Sequence, residues 1–168
     1  MTKYLDLKSL LIQRGLLPLQ AQIWAEFAMQ ALALYWQAVE MLIEPSRWTE
    51  FKGKRGALGK PKRKGKNVGI QFPIEDAITS EIGVIVKDLR ARLPGGHILR
   101  SYEAHFEFEA AVESTTRSGR HLKTVDHRVV CDIPNGPELA IEAKPVSTQA
   151  DVANRYLAAE GIGCFLTG

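Results

Sequence analysis

The chain has 168 residues, a net charge of +3 at neutral pH, 45% hydrophobic residues and 24% charged residues. These values are typical of one globular domain that is large enough to bury a hydrophobic core. A zinc site is not indicated, because the two cysteines, Cys131 and Cys164, lack metal-site spacing. The longest apolar stretch, residues 22–43, is interrupted by Glu26 and Glu40. We therefore expect a cytoplasmic protein with no membrane partner.

Two helices are predicted within the first 50 residues. Residues 3–14 have the pattern of a short helix, and residues 17–43 that of a long helix rich in Ala, Leu and aromatic side chains. The long helix is apolar over much of its circumference, so we expect burial on more than one side. Residues 1–50 are thus predicted to be an N-terminal helical arm and a candidate surface for a homodimer. The aromatic residues interpreted as core or dimer contacts are Trp24, Phe27, Tyr35 and Trp36.

Residues 51–73 are predicted to be a Gly-rich loop in which the positive charge of the chain is concentrated. Residues 52–66, KGKRGALGKPKRKGK, include 8 basic residues and no acidic one, whereas the rest of the chain has 14 basic against 19 acidic residues. Such a loop is either simply solvated or binds the phosphate backbone of a nucleic acid. Its candidate nucleic-acid contacts are Lys52, Lys54, Arg55, Lys60, Lys62, Arg63, Lys64 and Lys66.

A third helix is predicted over residues 73–93, with acidic residues in its first turn and arginines in its last. Helical spacing places Glu81 inside its apolar stripe, Glu75 at the edge and Asp76 on the opposite side. A glutamate on a core-facing side must be paired or bound. Glu81 is therefore either a structural ion pair with Lys or Arg, or a ligand that faces the sheet. The apolar stripe consists of Ile74, Ile78, Ile82, Ile85 and Leu89.

In the second half of the chain, apolar and polar residues alternate as they do in strands with one buried face. The run 102–112 has aromatic and aliphatic residues on one face and charged residues on the other. Two more strands are predicted at 125–133 and 139–146, followed by a helix at 147–160 and a strand at 162–166. This order predicts an α/β fold, with a mixed four-stranded sheet flanked by helices and an N-terminal helical extension.

The hairpin between the second and third strands collects charged residues on one face. Any loop of odd length places Asp126 on the same face as Glu142 and Lys144, whereas an even loop would break this parity. A five-residue loop sets Asp126 opposite Lys144, and a three-residue loop moves each pairing by two residues. Asp132 is the alternative, but in the five-residue register it lies about 13 Å from Glu142. Neighbouring carboxylates favour a hard cation such as Mg²⁺ or Mn²⁺, which activates water and neutralises phosphate charge. With Lys144 beside the water, this chemistry is phosphodiester hydrolysis.

The same residues carry a resemblance to a known family. Asp126 followed by Glu142-Ala143-Lys144, in the order helix, strand, strand, strand, helix, strand, resembles the PD-(D/E)xK (restriction-endonuclease-like) nuclease superfamily over residues 74–168. The resemblance implies a restriction-endonuclease-like core and cleavage of DNA, and RNA stays open as a substrate. Two departures leave subfamily and substrate open: Thr-Val precedes Asp126 where the family has Pro, and the spacing after Gln149 differs from RecB-like members.

The resemblance also implies the roles of individual residues. The carboxylates of Asp126 and Glu142 and the carbonyl of Ala143 would hold Mg²⁺, with Mn²⁺ as a substitute, and Lys144 would assist the attacking water. An acidic residue on the first core helix, best matched by Glu81, would complete the metal site. Further nucleic-acid contacts are Gln149, which matches a glutamine after the ExK element in some members, and Arg120 and Lys123, which precede Asp126.

Two other functions compete with the nuclease. The first is a non-catalytic nucleic-acid-binding module that uses residues 52–66. In that case Glu142 and Lys144 are an exposed pair of little energetic weight. The second is a protein-interaction subunit that assembles through the aromatic helix at 17–43. His127, next to Asp126, is interpreted first as a structural histidine and second as a phosphate contact.

Overall fold

The computed structural model describes residues 6–54, 56–60, 71, 73–111, 124–132 and 136–143. These residues form a mixed α/β fold, in which helices pack on one three-stranded antiparallel sheet of order β1-β2-β3. The helix expected at 147–160 and the fourth strand expected at 162–166 lie outside the described residues. The elements are α1 (Leu7–Gln13), α2 (Pro18–Ile43), α3 (Pro45–Gly53), α4 (Glu75–Ala91), α5 (Ile98–Ser101), β1 (His105–Ala111), β2 (Thr124–Val130) and β3 (Glu138–Ile141).

Helix α2 supplies one side of the hydrophobic core. Phe27 and Leu42 of α2, Ile85 of α4 and Val129 of β2 belong to the same buried cluster. The buried residues of α2 recur three or four positions apart, which is the spacing of a single helix face. The opposite side of α2 carries exposed large side chains, including Trp36 at 67% exposure. Within the described residues α2 is therefore buried on one side, and the expected second buried side is not found there.

Helix α3 was not predicted, and it changes how the basic segment begins. It starts directly after α2, with Pro45 in its first turn, where the missing N–H of proline costs no helical hydrogen bond. Lys52 lies in its last turn, so the predicted loop begins inside a helix. Because Glu44 between the two helices has extended backbone angles (φ −54°, ψ 134°), the chain changes direction there.

Helix α4 approaches the sheet through a glycine. A Cβ atom built on Gly83 would overlap the ring of Phe108 and lie 2.6 Å from its Cζ. The side of α4 that carries Thr79, Gly83 and Val86 is buried against this neighbour, whereas Ile74, at the start of the expected stripe, is 39% exposed. The buried face is thus broader than the predicted stripe and extends toward the Thr79 side of the helix.

The strand register confirms the predicted alternation of the sheet. Val125, His127 and Val129 are buried on β2, and the residues between them are half-buried. β2 pairs with β3 from Val130↔Glu138 to His127↔Ile141, so the next pair in this register is Asp126 with Glu142. The five-residue loop is not found, because the pairing is shifted by two residues, but the connecting loop is odd in length and the expected face is retained. No helix among the described residues is long and apolar enough to cross a membrane.

Candidate active site

Asp126 lies against the peptide that follows Glu142. Its Oδ2 accepts a hydrogen bond of 2.6 Å from the backbone N–H of Ala143. This side-chain bond lies just beyond the last β2–β3 strand pair, His127↔Ile141, and holds the carboxylate against the Glu142-Ala143 peptide. Both Asp126 and Glu142 are half-buried. The structure thus brings together Asp126, Glu142 and Ala143, while Lys144 lies outside the described residues.

The hydrogen bond to Ala143 leaves Asp126 able to accept further bonds. An ionised carboxylate offers two oxygens and about four lone-pair positions, and the Ala143 N–H occupies one of them. Hydrogen bonds to a charged carboxylate are short and fix its orientation. Asp126 is therefore an oriented acceptor with spare capacity beside the carbonyl of Ala143.

A cavity of about 220 Å³ lies between the first turns of α4 and the sheet. Its lining joins acidic and hydroxyl residues of the helix to residues of β1 and β2. The lining residues are Asp76, Thr79, Ser80, Phe108, Glu109, Asp126 and His127. It is large enough for a phosphate group and several waters, given that one water occupies about 30 Å³ in the liquid.

Two acidic residues of this cavity were not predicted as site residues. Asp76 was expected on the opposite side of the helix from the core, and Glu109 on a solvated strand face. Glu109 has a left-handed backbone (φ 49°), and the β1–β2 pairing passes over it, from Phe108↔His127 to Ala110↔Val125. A non-glycine residue in this region stores about 1–3 kcal/mol of strain. In the sequence, Gly83 is the one signal that α4 comes close to the sheet on the Asp76 side.

Glu81 lies in a different cavity from Asp126. It accepts a hydrogen bond from the Lys54 ammonium at 2.8 Å, and its side chain is 17% exposed. With Lys54 it lines a second cavity, together with residues of α3. The structure therefore places Glu81 in a structural ion pair, which was the alternative interpretation, and does not bring it to Asp126.

The other alternative ligands do not line the Asp126 cavity either. Neither Glu75, which is half-buried in the first turn of α4, nor Glu142 is among the residues that line this cavity. Asp132 accepts a hydrogen bond from His105 Nε2 at 2.7 Å. That contact lies beyond Val130, at the far end of β2 from Asp126. Of the two aspartates considered from the sequence, Asp126 is the one next to Glu142.

The donor atoms around Asp126 suit a hard cation. In the part of the chain that the structure describes, no three His, Cys, Asp or Glu side chains are grouped closely enough to hold a metal ion. Mg²⁺ usually takes only one or two carboxylates and completes its shell with waters and substrate phosphates. The Asp126 and Glu142 carboxylates and the Ala143 carbonyl are all oxygen donors, and this donor set fits Mg²⁺ or Mn²⁺ better than a metal that prefers sulfur or nitrogen.

His127 forms the floor of the cavity as a neutral side chain. It is 1% exposed and packs edge-on against the rings of Tyr35 and Phe108, at centroid distances of 5.0 and 5.1 Å. Neither ring nitrogen has a hydrogen-bond partner among the described residues. Burial lowers the pKa of His127 to about 4 and raises that of Tyr35. His127 is therefore uncharged at neutral pH and does not act as a cationic phosphate contact.

The described part of the basic segment, residues 52–66, contacts the residues just before α4. Leu58 and Pro73 form an antiparallel bridge, and the Ile74 N–H donates to the Ala57 carbonyl at 3.0 Å. Leu58 therefore lies next to Pro73, and Pro73 precedes Asp76 by three residues in the chain. Lys52 and Lys60 are exposed, and Lys54 is engaged by Glu81. The remaining predicted contacts lie outside the described residues: Arg55, Lys62, Arg63, Lys64, Lys66, Arg120, Lys123 and Gln149.

Compared with known proteins, the chain matches no protein-family model, no curated protein and no solved structure.

Proposed function

We propose that the protein is a metal-dependent nuclease that hydrolyses phosphodiester bonds in DNA. The observation that carries the proposal is the hydrogen bond from the Ala143 N–H to Asp126, which holds Asp126 against the Glu142-Ala143 peptide of the predicted motif. In this proposal, the helix and strand expected after Ala143 complete a restriction-endonuclease-like core. Asp126, Glu142 and the Ala143 carbonyl hold Mg²⁺, for which Mn²⁺ can substitute.

The residues of the site divide the chemistry between them. When bound, the metal ion supplies a Lewis acid that offsets charge on the phosphate and makes water more acidic. Asp126 is held in place by the Ala143 N–H, so it keeps its geometry through the reaction. Lys144 orients the attacking water. The oxygen of that water forms a bond to phosphorus as the bond to the leaving sugar oxygen breaks. The water loses a proton to solvent, and the leaving sugar oxygen takes up a proton from solvent.

The basic segment supplies affinity for the substrate. Its two ends are fixed at the start of α4 by the Leu58–Pro73 bridge, close to the cavity that Asp76 and Asp126 line. Lysine and arginine contacts to phosphates release counterions, so binding should weaken steeply as salt is raised. Basic residues that follow closely in the chain on a bridge at the start of α4 suit an enzyme that acts on nucleic acid.

Lys144→Ala is expected to reduce DNA cleavage in Mg²⁺ by about 100-fold or more, which is the typical contribution of a residue that positions or deprotonates water. DNA binding, measured in Ca²⁺ by fluorescence anisotropy, should change by less than about two-fold, because binding rests on many phosphate contacts. Plasmid, single-stranded, branched and RNA substrates are tested in parallel. Chelation of the metal should stop cleavage.

Lys60→Ala is the matched control for that experiment. Lys60 is an exposed lysine of the basic segment, so its loss should weaken binding slightly and leave the rate of the bound complex unchanged. A wild-type protein that binds DNA in a salt-dependent way but cuts no substrate with Mg²⁺ or Mn²⁺ would instead be the non-catalytic binding module.

The proposal includes a homodimer formed through α2. Met29, Leu32, Trp36 and Ile43 are 45–67% exposed on the side of α2 opposite to its buried residues. Half-buried Val39 completes a spacing of three and four residues, which is the heptad period of helices that pair with their own copies. This apolar seam contains no charged residue and runs for about 21 Å along the helix. A second copy of α2 is therefore the partner with matching period and chemistry.

Trp36→Glu is expected to convert the dimer into a monomer, because a charge placed in an apolar helix seam cannot be solvated or paired there. Sedimentation equilibrium at micromolar concentration measures the change. Gln37→Glu adds the same charge to the neighbouring exposed position, outside the seam, and should leave the dimer intact. A wild-type chain that stays monomeric at 100-fold higher concentration would exclude this interface.

A further inference from the structure

A third cavity, separate from those that Asp126 and Glu81 line, lies where the last turns of α4 meet the beginning of β1. Its volume is about 210 Å³. Three of its lining side chains are of basic type, and none is acidic. The lining residues are Lys87, Arg90, Ala104, His105 and Phe106. This composition is the opposite of that of the Asp126 cavity and indicates affinity for an anion.

Arg90 lines this cavity and has a guanidinium that the described residues do not fully satisfy. Its Nε is buried and has no hydrogen-bond partner among the described residues, and no ion pair to Arg90 or Lys87 occurs in the part of the chain that the structure describes. A buried N–H without an acceptor is costly, and more so on a charged group. The guanidinium fork matches the oxygens of a phosphate group. A lining guanidinium without an ion pair among the described residues thus points to an oxyanion ligand.

The neighbouring charges leave the cavity positive. His105 Nε2 is bonded to the Asp132 carboxylate at 2.7 Å, and both side chains are more than half exposed. Asp132 therefore offsets any charge on His105, whereas Lys87 and Arg90 remain as two cations. The ammonium of Lys87 lies 4.2 Å from the centre of the Phe108 ring, which keeps it over the sheet beside the cavity.

The Asp126 cavity and this basic cavity follow each other along α4. Thr79 and Ser80 line the Asp126 cavity, and Lys87 and Arg90 line the basic one. Phe108 contacts both regions. Its side chain lines the Asp126 cavity, and the ammonium of Lys87 lies over its ring. From Thr79 to Lys87 the helix rises about 12 Å, which corresponds to a few nucleotides of one strand at about 3.4 Å each.

We propose that the cavity of Lys87, Arg90 and His105 is a phosphate subsite, which binds a backbone phosphate of the substrate strand a few nucleotides from the bond at Asp126. The identity of the ligand as part of a nucleic acid rests on the proposed function. The affinity for a phosphate group does not, because it follows from Lys87 and Arg90, two lining cations without an ion pair among the described residues. The subsite would set the direction in which a strand crosses the Asp126 cavity.

The first test uses inorganic phosphate and the full chain. In a ¹⁵N-labelled protein, phosphate should shift the Nε–H resonance of Arg90 saturably, with assignment from the Arg90→Lys spectrum. Arg92 is the matched internal control, since it lies at the end of the same helix, is exposed and does not line the cavity. No saturable shift, or an equal shift at Arg92, would overturn the subsite.

The second test uses a short single-stranded DNA in Ca²⁺, where cleavage does not interfere. Arg90→Gln should weaken binding about 10-fold and reduce the salt dependence by about one phosphate contact, while Arg92→Gln changes binding by less than about two-fold. Equal thermal midpoints of the two variants show that both fold. If Arg90 responds to phosphate but Arg90→Gln binds DNA normally, the nucleic-acid assignment is overturned. If the Arg90 effects hold and no substrate is cut, the nuclease proposal fails and the subsite stands.

Discussion

Asp126→Asn is expected to lower the rate of metal-dependent DNA cleavage by about 1000-fold, which corresponds to about 4 kcal/mol of transition-state stabilisation. The substitution removes the negative charge that would bind the metal ion in the proposed site. Asparagine keeps a side-chain oxygen of the same size, so it can still accept the hydrogen bond from the Ala143 N–H. The loss of activity should therefore occur without a loss of folding. Single-turnover cleavage with excess enzyme measures the chemical step directly.

Three further carboxylates serve as graded comparisons. Asp76 and Glu109 line the same cavity as Asp126, so Asp76→Asn and Glu109→Gln should reduce cleavage about 10-fold each, as loss of outer-shell partners typically does. Glu81→Gln should reduce cleavage by less than about two-fold, because Glu81 pairs with Lys54 in a different cavity and partly exposed pairs contribute little. If Glu81→Gln were as damaging as Asp126→Asn, Glu81 would be the metal ligand that the family resemblance implies.

Calorimetric titration of Mn²⁺ separates metal binding from cleavage. Asp126→Asn and Glu142→Gln should each weaken Mn²⁺ binding, whereas Lys144→Ala should not, because a lysine contributes no ligand atom to the ion. If Asp126→Asn abolished cleavage but left Mn²⁺ affinity unchanged in the presence of DNA, Asp126 would position the substrate and would not hold the metal.

The regular parts of this fold follow from periodicity in the sequence. The long helix and the central helix were predicted to within two residues of α2 and α4, because both have apolar residues at helical spacing over several turns. α3 and α5 were missed. α3 is short and mostly polar, and α5 is a single turn whose cap is the ring of His97. Such short segments acquire their conformation from contacts with neighbouring elements, and neither is long enough to show a helical repeat of apolar residues.

The candidate site is predictable where it depends on strand parity and not where it depends on close packing. An odd loop puts Asp126 and Glu142 on one face, so their shared face was predictable from the sequence, whereas the predicted pairing of Asp126 with Lys144 is two residues away from the observed register. The place of Glu81 could not be deduced, because helical spacing does not say whether a neighbouring helix or the sheet covers a given side. The presence of Asp76 and Glu109 in the Asp126 cavity depends on the close approach of Gly83 to Phe108 and on the left-handed backbone of Glu109.

His127 should make the metal-free protein less stable as the pH falls. An unfolded histidine has a pKa of about 6.5, whereas burial lowers the pKa of folded His127 to about 4. Between these values the unfolded chain binds a proton that the folded chain excludes, so the free energy of unfolding decreases from pH 6.5 toward pH 4. The full loss is about 3 kcal/mol. Urea unfolding at pH 7, 5.5 and 4.5, in the presence of a chelator, measures it.

His127→Phe isolates this contribution from every other titrating group. Phenylalanine has a similar shape and keeps the ring contacts with Tyr35 and Phe108, but it cannot bind a proton. Because neither nitrogen of His127 has a partner among the described residues, the variant should be at least as stable as wild type at pH 7. The other histidines and the carboxylates titrate in both proteins and cancel in the difference. Parallel pH profiles of the two proteins would contradict the assignment of the acid sensitivity to His127.

The same variant shows whether the buried imidazole serves the cavity or only fills the core. A native core rarely keeps two unpartnered ring nitrogens and an unpartnered Tyr35 hydroxyl together unless something compensates for them. If a ligand in the cavity supplies the missing partner, His127→Phe will be more stable than wild type at pH 7 and slower in cleavage. If the imidazole only fills space, stability will rise and the cleavage rate will not change. A trade of stability for activity at this position would identify His127 as a residue retained for its polar atoms.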